Sequence, residues 1–579
     1  MLESQKNVVY LRPKKANTQL NGHEDLTQER LVNENNCFYY IMEKMMKRFV
    51  WIIGALLSLT ICAQAQQATT TKGKGVAKTA AKSSGNDLLL VHPAMGDTAS
   101  SADGSICLKL VGQKQNFAGG QSATRDADIN SPKSINIHPD GKKYYVNSLE
   151  GCTTVCYDFT TNTKLKVIRH SFREGRDDAL WAPESGLYPW RHYKDNLNTF
   201  SGKPVESTFS HGGRYLWVPY YRRTFDINAQ DPSAVAVIDT KTDAIVRLME
   251  TGPLPKMITT SPDGRTVAIS HWGNNTVGLI DISSPTPSDW HHTQVLTVDY
   301  ELKLDFPLDR SVDRDNGSGY ALRGTVFTPD GRYLLVGCMG GGGGIAVIDI
   351  PNKKYLGRVM GMMANVRHLV IANGYLYLSI NKAGYVQRIR LQKFMDAAKR
   401  MTGRTTTVIG WENAKVGGGA RTICISPDGR YVFAACNMES QLYVVDTQTM
   451  KAVCKIAVDS YPVGMDLSSD GRYVFTTSQG RGNKGGNSVC IFEVKYKTAP
   501  TTRHCANCGE KRTSGEQKCH KCGVSFAGTY AMIDSLNTDE DVPMVAENEN
   551  SSASSWLLLG GGILVLLAAG AFFKLRGKK

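Results

Sequence analysis

The chain has 579 residues, 41% of them hydrophobic, 21% charged and 8% aromatic, with a formal charge of +15. That apolar fraction can bury a sizeable core and excludes a chain disordered throughout. At ~150 residues per domain, the length suits three or four domains or one large β architecture with appendages. Glycine is abundant, and clusters such as Gly340–Gly344 point to many tight turns.

Met45-Met46-Lys47-Arg48, the apolar run 49–62 and Ala63-Gln64-Ala65 have the basic, apolar and A-x-A parts of a secretory signal peptide, cut after Ala65. Residues 1–44 precede a credible start at Met45 or Met46, so 1–65 are read as an upstream segment plus signal. They hold eight Lys/Arg and six Asp/Glu, and removing them leaves +13. Residues 66–104 read as a linker, Ser/Thr/Gly/Ala-rich at its start.

From residue 105 to 496 the organising feature is a repeat. His138-Pro139-Asp140-Gly141, Ser261-Pro262-Asp263-Gly264, Thr328-Pro329-Asp330-Gly331, Ser426-Pro427-Asp428-Gly429 and Ser469-Asp470-Gly471 are copies of one turn. His211-Gly212-Gly213-Arg214 and Asn373-Gly374, with a residue deleted, are degenerate copies. Proline presets φ and glycine takes the left-handed position, so each is a tight turn between two strands. A third strand then ends near an acid, as in Val237-Ile238-Asp239, Val347-Ile348-Asp349 and Val444-Val445-Asp446. Successive turns are 72, 51, 67, 43, 55 and 42 residues apart. The floor is the length of one four-stranded propeller blade, and the excess is insertion. Seven copies predict an all-β, seven-bladed β-propeller. The last copy ends on its third strand, 489–494, so the strand 106–111 is expected to close the ring by pairing with 488–494. The pattern of strand, S-P-D-G-R-Y, strand and V-x-V-I-D-T resembles the YVTN family of β-propeller repeats. The resemblance implies the fold and leaves function open, because propellers host binding modules, lactonases and oxidoreductases.

Alignment on the turn puts Lys133, Lys256, Arg323, Arg367 and Arg421 at one position just before the inner strand, with Val205 and Val463 in the other two repeats. Inner strands line the channel, so these cations are expected to ring its mouth and favour an anionic ligand. The alternative is that each straps a neighbouring blade by pairing with a carboxylate or carbonyl. The insertions 170–204, 221–233, 299–321 and 337–344 fall on the same face. They bring Trp181, Trp190, Tyr221 and Arg222, joined by His271 and Trp272. Such aromatics beside cations suit a glycan, an aromatic ligand or a protein hot spot, or else they pack the insertions onto the propeller. Residues 392–404 read as a short structural helix on the opposite face. Cys152 and Cys156 either form a disulfide or are separate strand residues.

Cys505-x2-Cys508 and Cys519-x2-Cys522, each pair followed by glycine, have the spacing of a four-thiolate zinc ribbon, assigned to 503–526. Disulfides compete with metal if the segment is exported. After a second linker, 527–555, residues 556–573 are 18 residues without a charge, long enough at ~27 Å to cross a bilayer core as a single helix. Lys574, Arg576, Lys578 and Lys579 in the tail 574–579 favour the cytoplasmic side. The expected protein is therefore held in the inner (plasma) membrane by this one span, with propeller and ribbon on the extracytoplasmic side. No G-x-S-x-G, Walker or H-E-x-x-H motif occurs. The reading is a binding or assembly scaffold whose partner is an anionic small molecule, an envelope polymer or a protein, and not nucleic acid. Competing readings are a lactonase-like hydrolase using Asp178, Glu184, Asp315 or His271 in the same mouth, and an interaction hub acting through the ribbon.

Overall fold

A computed structural model describes residues 91–523, apart from 117–121, 191–196, 227–228, 303–316, 481–484, 499–503, 506, 512–515 and 517. The chain divides into two compact units, Met1–Asn86 and Asp87–Lys579, and every described residue belongs to the second. The signal-peptide and anchor segments, 45–65 and 556–573, lie outside the described residues. Among those described, no helix is long and apolar enough to cross a membrane.

Seven sheets follow one another along the chain. Their inner strands, in blades 1 to 7, are Pro132–Ile137, Thr208–Ser210, Pro255–Thr260, Leu322–Phe327, Val366–Ala372, Ala420–Ile425 and Pro462–Leu467. Each inner strand is followed by antiparallel neighbours running outward. The middle strands are covered on both faces by adjacent blades and read as continuous buried runs: Ser233–Asp239 and Tyr333–Cys338 are buried at every residue. The outer strand Lys164–Arg169 is mostly exposed. Seven of the eight propeller cysteines fall within strands, Cys152 standing in the turn before Thr153–Asp158; Cys152 and Cys156 are both free, so the separate-residue reading holds for them.

The repeated turn is held by its own side chains. In blades 3, 4, 6 and 7 the hydroxyl of Ser261, Thr328, Ser426 or Ser468 donates to the aspartate two residues on at 2.5–2.6 Å. That carboxylate accepts the N–H of Arg265, Arg332, Arg430 or Arg472. Arg214, Arg332 and Arg430 then pair with Asp239, Asp349 and Asp446, the acids at the ends of the third strands. The five complete turns have their glycine at φ between +67° and +76°, a region that a side chain makes costly.

The ring closes as expected, and further. Ile106–Gln115 pairs antiparallel with Ser488–Tyr496, from Ile106 opposite Tyr496 to Gln115 opposite Ser488, slipping between Leu110 and Gly112. A short strand, Thr98–Ser100, adds to its outer edge. Leu108 and Leu110 are fully buried beside Phe492 and Val494. Two insertions also build sheet. Phe200–Pro204 and Ser171–Phe172 extend blade 2 from the long strand Tyr215–Arg223. After the helix Leu391–Lys399, which is shorter than the span 392–404, Thr405–Thr407 adds to blade 4 in parallel before Glu412–Lys415 completes blade 5.

Six inner strands share a device that the repeat motif did not disclose. Their pairing with the second strand slips at Lys133, Lys256, Arg323-Gly324, Arg367, Arg421-Thr422 and Val463. Two residues before each of these cations or Val463 the backbone is left-handed, at Ser131, Leu254, Ala321, Asn365, Gly419 and Tyr461, with φ from +48° to +76°. The carbonyl of each accepts the N–H of the residue just past the second strand, at 2.9–3.3 Å. A bulge leaves one residue out of the ladder and re-aims its side chain.

Replacing Leu108 with alanine is expected to lower stability by about 2–4 kcal/mol in urea unfolding, because the cavity opens in the closing seam. Lys109→Ala, on the same strand but exposed, should change it by less than about 0.5 kcal/mol. Equal effects would mean that the seam does not hold the ring.

Candidate functional site

The bulges deliver five cations to one place. Lys133, Lys256, Arg323 and Arg421 are between 5% and 8% exposed, and Arg367 is half-buried. They come from blades 1, 3, 4, 6 and 5, yet their fields overlap: Arg421, Arg323 and Arg367 all act on Lys133, and the same three act on Lys256. Only convergence on the axis brings five separate blades within such range. Burial, reinforced by these like charges, holds both lysine amines well below the usual lysine range. Arg323 is pushed down to about 10, and Arg367 and Arg421 also fall, each chiefly through burial.

Two further groups, absent from the sequence reading, join them. Glu206 acts on all five cations as the compensating carboxylate. The His368 imidazole is held down to about 4 by burial, opposed by Glu206 and reinforced by Arg323 and Arg367. The available signal was adjacency, since Glu206 follows Val205 and His368 follows Arg367. Among the described residues none of the five cations lies in an ion pair with a carboxylate. Neighbouring blades instead hold the backbone of the ring position. Ser134 donates to the carbonyl of Val205, Ser270 to that of Arg323, Ser379 to that of Arg421, and Thr422 to that of Val463. The interblade straps exist, but they use main chain; of the cationic heads, Arg367 Nη1 lies 3.3 Å from the Met339 sulfur and Arg421 bonds Tyr461.

Aromatic rings form the collar. Lys256 Nζ lies 3.7 Å from the centroid of the Tyr221 ring and 5.6 Å from that of Trp272. The Arg323 guanidinium is 5.7 Å from Trp272, and that of Arg421 is 5.8 Å from Tyr461. Tyr221 and Trp272 pack in one buried apolar cluster with Val205, Leu254 and Ala321, the last two being the left-handed residues of their bulges.

Trp181 and Trp190 are elsewhere. They stack on Arg223, the neighbour of the expected Arg222, at 4.8 and 4.5 Å, with Phe200 at 4.8 Å. This buried guanidinium donates to the Leu197 carbonyl at 2.6 Å, and burial pushes it down to about 9. A cavity of about 200 Å³ opens there, lined also by Glu184 and Glu250. Packing of the insertion onto blade 2 accounts for both tryptophans, and Arg222 is half-buried outside this cluster.

The residues named for hydrolysis do not gather. Asp178 is exposed and accepts the Gly175 N–H, and Glu184 is exposed on the wall of the Arg223 cavity. His271 is fully buried between the hydroxyls of Thr251 and Thr276, both at 2.8 Å, and burial drives its imidazole down to about 3. Asp315 lies outside the described residues.

On the opposite face, the sulfur atoms of Cys505, Cys508, Cys519 and Cys522 all lie within 4.8 Å of one another. Cys505 and Cys522 are 3.6 Å apart, as are Cys508 and Cys519. Disulfide sulfurs would be ~2.05 Å apart. Four thiolates at ~2.3 Å around a tetrahedral ion stand ~3.8 Å apart, so the set fits a metal. Each pair sits on a knuckle: Gly509 N–H donates to the Cys505 carbonyl and Gly523 N–H to that of Cys519, both at 2.8 Å. The first knuckle rests on the degenerate turn of blade 5. A Cβ at Gly374 would come 2.8 Å from the Cys508 carbonyl carbon, so the glycine permits this approach.

No protein-family model matches the chain. Antigen Lp49 of Leptospira interrogans serogroup Icterohaemorrhagiae serovar copenhageni (strain Fiocruz L1-130) is 23% identical over 271 residues, 43% of this chain and 51% of that protein. The chain thus spans about half the length of this curated relative. Among solved structures, Kuenenia stuttgartiensis hydrazine synthase aligns over 66% of this chain and all of its own, with 14% identity and a TM-score of 0.44. The β-propeller domain of Myceliophteria thermophila Cps50 (Swd1) aligns over 63% of this chain and 97% of its own, with 13% identity and a TM-score of 0.43.

Proposed function

We propose that this protein is a binding scaffold that takes an anionic ligand at the five-cation ring in the propeller mouth. The observation that carries the reading is the convergence of Lys133, Lys256, Arg323, Arg367 and Arg421 around a single carboxylate, Glu206. Gathering buried like charges is unfavourable, and an anion on the axis relieves that cost while receiving charge-assisted hydrogen bonds. Tyr221 and Trp272 steady Lys256 and Arg323 at the rim. An anionic small molecule, or an acidic group of an envelope polymer or protein partner, satisfies the same chemistry; nucleic acid is not the partner of an exported chain.

The repeats are read as YVTN-type and the four-cysteine cluster as a zinc ribbon. Thiolate softness and tetrahedral spacing favour zinc, and four protein ligands leave no open coordination position, so the ribbon's role is contact or spacing. The apolar segment 556–573 and the signal at 45–65 support a single-pass inner-membrane protein with both folded parts outside.

In calorimetry with inorganic pyrophosphate, Arg323→Gln and Arg421→Gln are each expected to weaken binding by about tenfold, and Arg222→Gln to leave it unchanged. Equal affinity in all three would remove the ring from the account. Purified protein should contain stoichiometric zinc by mass spectrometry, lost in Cys508→Ser/Cys519→Ser; metal-free protein with all four cysteines oxidised is the contrary result. On sealed inner-membrane vesicles of known orientation, protease should cut the propeller only from the extracytoplasmic side.

A further inference from the structure

The two lysines of the ring are not equivalent. Lys256 Nζ faces the π-clouds of Tyr221 and Trp272, which stabilise its ammonium form. Lys133 has no ring stacked on it, and among the described residues it has no hydrogen-bond acceptor and no ion-pair partner. It is 7% exposed, sits at the slip in the blade 1 inner-strand ladder, and lies within the fields of Arg421, Arg323 and Arg367, with Glu206 as the opposing charge. Burial, reinforced by the three guanidiniums, holds the Lys133 amine well below the usual lysine range and so favours its neutral form over that of an exposed lysine. An amine next to fixed cations is the arrangement that makes lysine nucleophilic at neutral pH, and arginine cannot fill that role because it keeps its proton.

Resting on the anion-binding reading of the same ring, we infer that Lys133 is a reactive amine that captures anionic carbonyl compounds, such as 2-oxo acids, as an imine. The arginines hold the carboxylate and Lys133 Nζ attacks the carbonyl carbon. The C–N bond forms as the carbonyl π-pair moves to oxygen, which gains a proton to give a carbinolamine. Loss of that hydroxyl as water, with departure of the nitrogen proton, leaves the imine. No oxidant or reductant is consumed. Glu206, His368 and Tyr461 are the titratable groups whose fields reach the ring, and the proton transfers are assigned to them.

The test is reductive trapping on the purified full-length protein at pH about 7, with peptide mass spectrometry to rank all lysines. Glyoxylate with cyanoborohydride should carboxymethylate Lys133 at least about tenfold faster than the exposed lysines Lys142 and Lys166, because exposed amines are almost entirely protonated there. Inorganic pyrophosphate should slow that labelling, and Lys133→Arg, which fills the space but keeps its proton, should abolish the fast site. Formaldehyde, small and uncharged, separates the two readings. If it also marks Lys133 first while pyrophosphate has no effect, the reactive amine stands and the anion site falls. If Lys133 is labelled no faster than the exposed lysines by either reagent, the inference is overturned.

Discussion

Closure of the ring by Ile106–Gln115 against Ser488–Tyr496 is the constraint on which the rest depends. Five cations on separate strands would drift apart in an open fan, since each gains from distance. A closed disc removes that option: every blade is wedged between two others, and a displacement at one seam must be accommodated at all seven. The energy that keeps the charges together therefore comes from the interblade cores, where residues such as Trp217, Phe433 and Phe475 are almost wholly buried. Strain is distributed the same way. Non-glycine residues in the left-handed region at Leu254, Ala321 and Tyr461 cost roughly 1–2 kcal/mol each, and they persist because the surrounding strands fix both ends of each bulge.

Much of this fold was legible because it is written as repetition. A turn that recurs at propeller spacing, an acid at the end of each third strand and a final blade one strand short are all sequence patterns. Each has a direct cause: the Ser-Pro-Asp-Gly hydrogen bonds, the Arg430–Asp446 type of ion pair, and the need to cap an edge. The cation positions were legible for the same reason, because they share a register with the turn. What the repeat could not carry was anything that breaks it. Glu206 and His368 occur once each at the position following the ring residue, where other blades carry serine, methionine, glycine or threonine, so no periodicity marks them. Trp181 and Trp190 stand in an insertion, and composition alone could not separate a ligand-binding aromatic from one packed on Arg223.

The two ends of the disc have different chemistry. One presents buried cations inside an apolar collar; the other carries soft thiolates seated on the shortest turn of the repeat. Glycine at Gly374 is needed for that seat, and the deleted residue there is thus a docking feature rather than decay of the pattern. Between ribbon and propeller a cavity of about 550 Å³ is lined by Asp428, Arg430, Tyr431, Lys497 and His504. A metal held by the four cysteines would tie the chain leaving blade 7 together at this face, where the first knuckle rests on blade 5, on the far side from the ring.

The most direct measurement is anomalous diffraction from crystals soaked in selenate, a tetrahedral dianion with a strong selenium signal. A selenium peak on the propeller axis, with its oxygens within hydrogen-bond distance of Arg323, Arg367 and Arg421, is the expected result. An axis without a peak, with those guanidiniums turned onto carboxylates of neighbouring blades, would reduce the five cations to struts and leave the channel without a ligand.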